Sequence, residues 1–200
     1  MTTLQVQTSA QSLLIEFPGA QTLTPGEFYQ FCLANRELHI ERTATGEIIV
    51  TPPAFADTGN RNFNIAVQLG LWADQNGQGL GFDSSTGFTL PNGAVRSPDA
   101  AWVKLGRWQP LTEAQKASFA PICPDFVIEL RSASDSLSNL QNKMSEYLAN
   151  GTGLGWLIDR QNRQVWVYRQ GQDPVVLSNP ERVYGDPELP GFALVMAKIW

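Results

Sequence analysis

Hydrophobic residues recur along the chain with two spacings, and the two spacings predict two kinds of element. Apolar residues three and four positions apart are typical of helices, whereas strict alternation is typical of strands with one buried face. Helices are predicted to begin at Thr24 and Thr58 and to span residues 112–118 and 136–150. Strands are predicted at residues 38–42, 47–51, 99–104, 125–131, 154–159 and 165–168, with short strands and tight turns over residues 79–93.

The order of these elements indicates the fold class. A strand, a helix and a second strand follow one another over residues 125–159, which is the arrangement of a crossover unit that joins parallel strands. The hairpin predicted over residues 38–51 adds an antiparallel pair. The chain is therefore predicted to be an α/β or α+β protein, with one mixed, curved β-sheet flanked by helices.

The predicted helices carry end signals and apolar faces. Thr24, Pro25 and Glu27 supply an N-cap, a first-turn proline and a capping box. Gly151 is expected to end the helix over residues 136–150. The predicted apolar face of the second helix is Phe63, Ala66, Val67, Gly70 and Leu71, and that of the last helix is Leu137, Leu140, Met144 and Leu148.

Length and composition fit one globular domain. The chain has 200 residues, of which 42% are hydrophobic, and we expect an N-terminal arm over residues 1–21 and a single domain over residues 22–200. No apolar run approaches the roughly 20 residues of a membrane span, and no signal peptide is apparent, so a cytoplasmic location is expected. The net charge of −5 argues against a general basic coat for nucleic acid, but a local site is not excluded.

Carboxylates stand in or next to two of the predicted strands. Alternation over residues 125–131 places Glu129 and Arg131 on one face, about 7 Å apart at a rise of about 3.3 Å per residue. Either a cross-strand ion pair or a functional site would produce this pattern. Asp99 follows Pro98 at the start of another strand, where it is either a turn residue or a ligand. Together the two carboxylates suit a hard cation such as Mg²⁺, which takes one or two carboxylates with waters and phosphate oxygens.

The two acids are part of a longer pattern. A Pro-Asp pair followed, on a later core strand, by an acid two positions before a basic residue resembles the PD-(D/E)XK nuclease pattern. More specifically, the chain resembles the Uma family of putative restriction endonucleases over most of residues 25–200. The stretches that carry the resemblance are residues 85–93 with 96–99, residues 129–135, residues 143–147 with 155–159, and residues 189–192.

The resemblance implies a restriction-endonuclease-like core and a divalent cation, Mg²⁺ or Mn²⁺, that supports hydrolysis of phosphodiester bonds in DNA. Asp99 and Glu129 match the two family carboxylates, and the backbone carbonyl of Leu130 is implied as an extra metal ligand. Glu41, on the first hairpin strand, matches an acid near the start of such domains; otherwise it is a solvated strand residue.

One position departs from the family pattern, because Arg131 stands where the pattern has lysine. Arginine stays protonated, with a pKa above roughly 12, so it cannot serve as a general base. It could still bind the scissile phosphate or orient the attacking water. Lys143 on the last predicted helix could replace the lysine, as in members of the superfamily where the lysine has moved to a helix; otherwise it is a solvated helix residue.

Two other functions are compatible with the sequence. A catalytically weak or inactive nuclease-fold module for nucleic-acid or protein interaction would retain the acids for stability, and Arg131 and the negative net charge favour it. A hydrolase of another type would have to depend on His39, the chain's single histidine. A homodimer is also expected for an enzyme that cuts both DNA strands, since two active sites then face two strands.

Overall fold

The structure is a computed structural model, and it describes residues 5–8, 13–16 and 23–200, with side chains from residue 23 onward. Two short strands of the predicted N-terminal arm lie within these residues, and the rest of the arm lies outside them. The division into an arm over residues 1–21 and a single domain over residues 22–200 therefore stays a prediction.

The helices and strands predicted between residues 24 and 168 are present close to their predicted positions, whereas the two strands before residue 17, those after residue 170, the strand at 95–96 and the helix at 105–108 were not predicted. The helices are α1 (Pro25–Ala34), α2 (Ala56–Asn76), α3 (Leu105–Trp108), α4 (Glu113–Lys116) and α5 (Leu137–Ala149). The strands are β1 (Gln5–Thr8), β2 (Leu13–Glu16), β3 (His39–Arg42), β4 (Ile48–Thr51), β5 (Gly79–Asp83), β6 (Phe88–Thr89), β7 (Val95–Arg96), β8 (Ala100–Lys104), β9 (Phe126–Arg131), β10 (Leu154–Asp159), β11 (Gln164–Arg169), β12 (Val175–Ser178), β13 (Arg182–Tyr184) and β14 (Ala193–Val195).

The central sheet of the described residues has six strands in the order β12–β11–β10–β9–β8–β5. β9 and β10 are parallel, and every other neighbouring pair in this sheet is antiparallel. α5 connects the two parallel strands, because a tight turn cannot join strands that run in the same direction. The predicted crossover unit is therefore confirmed.

A second six-stranded sheet, again counted over the described residues, has the order β1–β2–β4–β3–β7–β6. β3 and β4 form the predicted antiparallel hairpin. The sequence predicted one sheet, but the described strands form three, the third being the antiparallel pair β13–β14, because an alternating pattern does not specify which sheet a hairpin joins. The mixed fold class, with helices flanking mixed sheets, is confirmed.

Both faces of β9 are buried in the core. Phe126, Ile128 and Leu130 belong to one hydrophobic cluster, on one face of the central sheet. Val127 belongs to a second cluster on the opposite face, where the chain packs against α5. Glu129 alternates onto the α5 side and is only 4% exposed. A carboxylate at that depth requires a charged or hydrogen-bonding partner, since an unpaired buried charge is strongly unfavourable.

α2 does not bury the face that the sequence predicted. The helix begins at Ala56, two residues before the expected Thr58, and Phe63 and Leu71 of the predicted face lie exposed. The predicted face was wrong because α2 has apolar residues on two sides, and periodicity does not specify which side meets the sheet. No helix within the described ranges has the length and apolar character needed to cross a membrane. The buried residues of α2 are Thr58, Ile65, Leu69 and Ala73.

Candidate functional site

The pairing of β8 with β9 brings two of the predicted site carboxylates together. Ala100 pairs with Ile128 in an antiparallel register, so the next position outward places Asp99 opposite Glu129. Directly opposed residues of an antiparallel pair project to the same face of the sheet. Asp99 and Glu129 therefore lie close together just beyond the paired residues, with the carboxylate of Asp99 in contact with Asn62 of α2 and that of Glu129 in contact with Lys143 of α5.

Lys143 of α5 reaches into this site. Its Nζ lies 2.9 Å from Glu129 Oε1 and 2.9 Å from Glu41 Oε1, so one ammonium group bridges two buried carboxylates. Tyr147 lies one helical turn further along and donates its hydroxyl proton to Glu129 Oε1 at 3.1 Å. Lys143 is therefore not a solvated helix residue, and its part in a functional site stays a prediction.

Glu41 is held by cations and by a backbone donor. The N–H of Ser97 donates to Glu41 Oε1 at 2.7 Å, and Arg96 Nη1 lies 3.4 Å from Oε2. Arg96 Nε also donates to Glu146 Oε2 at 2.6 Å. Lys143 and Arg96 outweigh the effect of burial and hold the pKa of Glu41 below its ordinary value. Glu41 is therefore an ionised group that fixes the position of Lys143.

Asp99 is oriented by one backbone and one side-chain donor. The N–H of Leu130 donates to Asp99 Oδ2 at 2.7 Å, and Asn62 Nδ2 of α2 donates to Oδ1 at 2.7 Å. The remaining polar atom of Asn62, its Oδ1, is buried and has no hydrogen-bond partner among the described residues. Oδ1 of Asn62 is therefore available to a further donor or to a cation beside Asp99.

The charges of the site do not cancel. The acids Glu41, Asp99, Glu129 and Glu146 face the cations Lys143 and Arg96, which leaves an excess of two negative charges. Burial raises the pKa of Glu129 to about 8, although Lys143 lowers it, and burial also raises the pKa of Asp99. The pKa of Lys143 is raised above its ordinary value by Glu129 and Glu41, which outweigh burial, so it stays protonated. The excess of two negative charges holds only when all four acids are ionised, and the raised pKa values mean that Asp99 and Glu129 are the two that favour the protonated form when no further cation is near.

The three carboxylates predicted as metal ligands do not form one cluster. Within the described residues no three acidic, histidine or cysteine side chains converge closely enough to hold a metal ion together. Lys143 lies between Glu41 and Glu129, and both oxygens of Glu41 are already engaged. Asp99 is engaged in the same way, by the N–H of Leu130 and by Asn62, so Oε2 of Glu129 is the one oxygen of the three carboxylates that has no partner among the described residues.

Arg131 occupies a different position from the other predicted residues. Its Nη1 lies 3.0 Å from Asp159 Oδ2 on β10, and its Nε donates to the carbonyl of Asp135 at 3.1 Å. The register pairs Arg131 with Asp159 directly across the two parallel strands. Arg131 therefore forms a cross-strand ion pair with Asp159. This was one of the two interpretations of the alternating pattern over residues 125–131.

Sequence reasoning missed part of the site. Asn62 lies 37 positions before Asp99 on a helix, and no local pattern links the two residues. Tyr147 and Arg96 fall in the stretches that carry the family resemblance, but neither was singled out as a site residue. His39 is exposed at the start of β3, and none of the described serine or cysteine side chains hydrogen-bonds to it.

The site makes stability depend on pH. Glu129 has a pKa of about 8 in the folded protein against an ordinary value of 4.5, so between these values the folded state retains a proton that the unfolded state has released. We expect the free energy of unfolding of metal-free protein to fall as pH rises through this window, by up to about 1.4 kcal/mol per pH unit. Urea denaturation in EDTA at a series of pH values measures this slope.

The matched variant for that measurement is Glu129→Gln, which keeps the size of the side chain and cannot ionise. Its free energy of unfolding should change much less with pH over the same window. A wild-type profile as flat as that of the variant would contradict the raised pKa of Glu129.

Comparisons with known proteins agree with the arrangement of the fold. The sequence profile of the family Uma2, described as putative restriction endonuclease, matches residues 25–197. A solved structure, a putative nuclease belonging to DUF820 from Anabaena variabilis ATCC 29413, is similar with a TM-score of 0.69 and 22% sequence identity; the match covers 82% of this chain and 90% of that chain. At 22% sequence identity, this similarity shows that the two proteins share a fold. No curated protein matches the chain.

Proposed function

Because this chain belongs to the Uma2 family of putative restriction endonucleases, we propose that it is a metal-dependent endonuclease that hydrolyses phosphodiester bonds of DNA. The single observation that carries the proposal is the grouping of Asp99, Glu129 and Lys143: the residue after Glu129 donates its N–H to Asp99, and Lys143 Nζ lies 2.9 Å from Glu129 Oε1. Two adjacent carboxylates beside a lysine combine possible metal ligands with a cation for phosphate.

The residues present fit a divalent cation. Asp99 and Glu129 offer two carboxylates whose pKa values burial raises, and a Mg²⁺ or Mn²⁺ ion beside them would favour their ionised forms. The carbonyl of Leu130 points to the same side as its N–H, which contacts Asp99, because both groups of one strand residue face the same neighbour. A cation there, or its water, would also satisfy Asn62 Oδ1. When bound, such an ion polarises a phosphoryl oxygen and lowers the pKa of a coordinated water.

Lys143 would contact the reacting phosphate. A lysine ammonium has three donors, and Glu41 and Glu129 take two of them, so one is left for a phosphate oxygen or the attacking water. Its pKa is raised, so it acts as a fixed positive charge. Negative charge that develops on phosphorus in the transition state is stabilised by such a pre-positioned cation.

Arg131 would play a smaller part in catalysis. Asp159 and the carbonyl of Asp135 engage its Nη1 and Nε, which fixes the loop that follows β9. Its Nη2 would then be the atom available to a phosphate of the DNA backbone. We propose that Arg131 contributes to DNA binding, and that Lys143 replaces the lysine of the family pattern.

A second function is an interaction module that has the nuclease fold without turnover. The net charge of −5 and the ion pair that already engages Arg131 favour this alternative. Such a module would bind nucleic acid or a protein and keep the buried acids for stability.

Cleavage assays on purified protein test the proposal. Supercoiled plasmid and labelled single-stranded and double-stranded DNA, with matched RNA, are incubated with Mg²⁺, with Mn²⁺ and with EDTA. We expect nicked or linear DNA with either metal and intact DNA in EDTA. Binding of DNA without cleavage under any metal condition would support the module instead, and preferential cleavage of RNA would contradict the assignment of DNA as substrate.

A further inference from the structure

We infer that a groove between α2 and β5 is a subsite for one nucleobase of the DNA substrate, and that it selects a base with an exocyclic amino group. The inference rests on the proposed function, since it places the reacting phosphodiester at Asp99 and Glu129. The groove has a volume of about 350 Å³, which lies in the range of small-molecule sites, roughly 300–1,000 Å³. It is bounded by Ala66, Leu69 and Gly70 of α2, by residues 81–83 and by Thr86.

Both walls of the groove begin beside the candidate site. On the α2 wall, Ala66 lies four residues or about 6 Å along the helix from Asn62, and Asn62 contacts Asp99. On the β5 wall, Asp83 pairs with Ala100, the residue that follows Asp99. A nucleotide whose phosphate lies beside Asp99 can therefore extend its base into the groove.

A serine fixes one end of the groove relative to the site. Ser97 donates its N–H to Glu41 Oε1 at 2.7 Å and its hydroxyl proton to the carbonyl of Thr86 at 2.8 Å. Thr86 bounds the groove, and Glu41 contacts Lys143 of the candidate site. Ser97 thus holds groove and site in a fixed relative position, which selection of a base next to a reacting phosphate requires.

The floor of the groove is formed by backbone. A Cβ on Gly81 would lie 3.7 Å from Gly70 Cα, so α2 and β5 approach closely here. A Cβ on Gly70 would meet no atom of the described residues within 4 Å, so a side chain there would project into open space. The flat floor suits the planar ring of a base. A base in that place has left a helical stack, so the substrate strand is single or its base is flipped out.

Asp83 supplies the selectivity of the groove. Alternation along β5 turns its side chain to the same side as Gly81, toward α2. Asp83 Oδ1 accepts from the N–H and the hydroxyl of Ser85, at 3.1 and 2.7 Å, and Oδ2 has no hydrogen bond among the described residues. A carboxylate only accepts hydrogen bonds, so it binds the amino group of a base such as cytosine. Thymine and uracil have a carbonyl oxygen at that position, which a carboxylate repels.

Binding of matched single strands tests this inference without turnover. Labelled oligodeoxynucleotides of identical length, one with cytosine at every position and one with uracil, are titrated with the full chain in Ca²⁺ at pH 8. Fluorescence anisotropy measures the two affinities, and gel electrophoresis checks that the strands stay intact. We expect the cytosine strand to bind about 10-fold more tightly, because each correct base contact favours its base by about that factor or more.

Two variants separate the contributions of the groove and of Asp83. Gly70→Leu should fill the groove and lower the affinity for cytosine to that for uracil, and it should fold because leucine favours a helix more than glycine does. Asp83→Asn keeps an Oδ1 acceptor for Ser85 but replaces Oδ2 with an amide donor, so it should reverse the preference toward uracil. Gly26→Leu, at an exposed and open position of α1, is the matched control and should keep the wild-type preference.

Equal affinity of the wild-type chain for the two strands, or no binding of either, would overturn the inference. A preference that both Gly70→Leu and Asp83→Asn retain would overturn it as well. Metal-dependent cleavage of DNA without a base preference would leave the proposed function standing and remove the subsite. A cytosine preference in a chain that cuts no DNA would support the subsite and contradict the endonuclease activity.

Discussion

Glu129→Gln is expected to reduce metal-dependent DNA cleavage by at least about 100-fold. Changes to residues that only support metal ligands typically lower affinity or activity by about 10- to 100-fold, and Glu129 is proposed as a ligand itself. The substitution keeps the shape of the side chain and its place beside Lys143 and Tyr147, but it removes the charge. Initial rates of plasmid nicking with Mn²⁺, compared with the wild-type rate, measure the effect.

The raised pKa of Glu129 makes this variant informative about function. Since burial favours the protonated carboxyl, a neutral glutamine should be tolerated in the fold, and at pH 8 it should not lower the free energy of unfolding. Loss of cleavage with unchanged stability would therefore indicate a catalytic role. Glu113→Gln, on the exposed surface of α4, is the matched control and should retain wild-type activity. Equal cleavage by wild-type and Glu129→Gln protein would indicate a contaminating nuclease.

The sequence was sufficient to predict the elements around the site because their patterns are local. The strand that carries Glu129 is a short, largely apolar run, and the helix that carries Lys143 has a regular apolar stripe and a glycine stop. Once α5 is known to connect two parallel strands, it must lie over one face of them. The proximity of Lys143 to Glu129 follows from the helix position over the parallel strands, from the local patterns of both elements and from the resemblance to the nuclease family.

Other parts of the site depend on contacts that no local pattern encodes. Asn62 meets Asp99 only because α2 packs across the end of β8, and α2 was predicted with the wrong face inward. The role of Glu41 depends on which sheet its hairpin joins. β3 pairs with β7, and this pairing brings Glu41 to Ser97 and Arg96. This long-range pairing determines whether Glu41 is placed to bind a metal ion or is held in contact with Lys143.

Lys143→Met is expected to lower the free energy of unfolding by about 3–5 kcal/mol, the usual loss when one partner of a buried ion pair is removed. The side chain of Lys143 is 16% exposed, and those of Glu41 and Glu129 are 9% and 5% exposed, so water cannot replace the lost ammonium group. Methionine fills a similar volume, so the expected loss of stability comes from the missing positive charge. Urea denaturation at pH 9, above the pKa of about 8 of Glu129, measures it while both carboxylates are ionised. Lys143→Arg, which keeps the charge, should lose less stability.

Lys116→Met provides the matched control, because Lys116 pairs with the highly exposed Glu113 on α4. That pair should contribute less than about 1 kcal/mol. A comparably small loss for Lys143→Met would contradict the buried bridge between Glu41 and Glu129.

The double variant Glu129→Gln with Lys143→Met separates the contributions of the two carboxylates. Removing Glu129 leaves Glu41 with Arg96 and the Ser97 N–H as partners, so the loss caused by Lys143→Met should be smaller in the Glu129→Gln background. The difference is the coupling free energy between Lys143 and Glu129, expected at about 1–3 kcal/mol. Additive losses would mean that Lys143 stabilises the fold mainly through Glu41. Addition of Mn²⁺ should restore part of the stability of Lys143→Met alone, because a cation beside Asp99 and Glu129 replaces the missing positive charge.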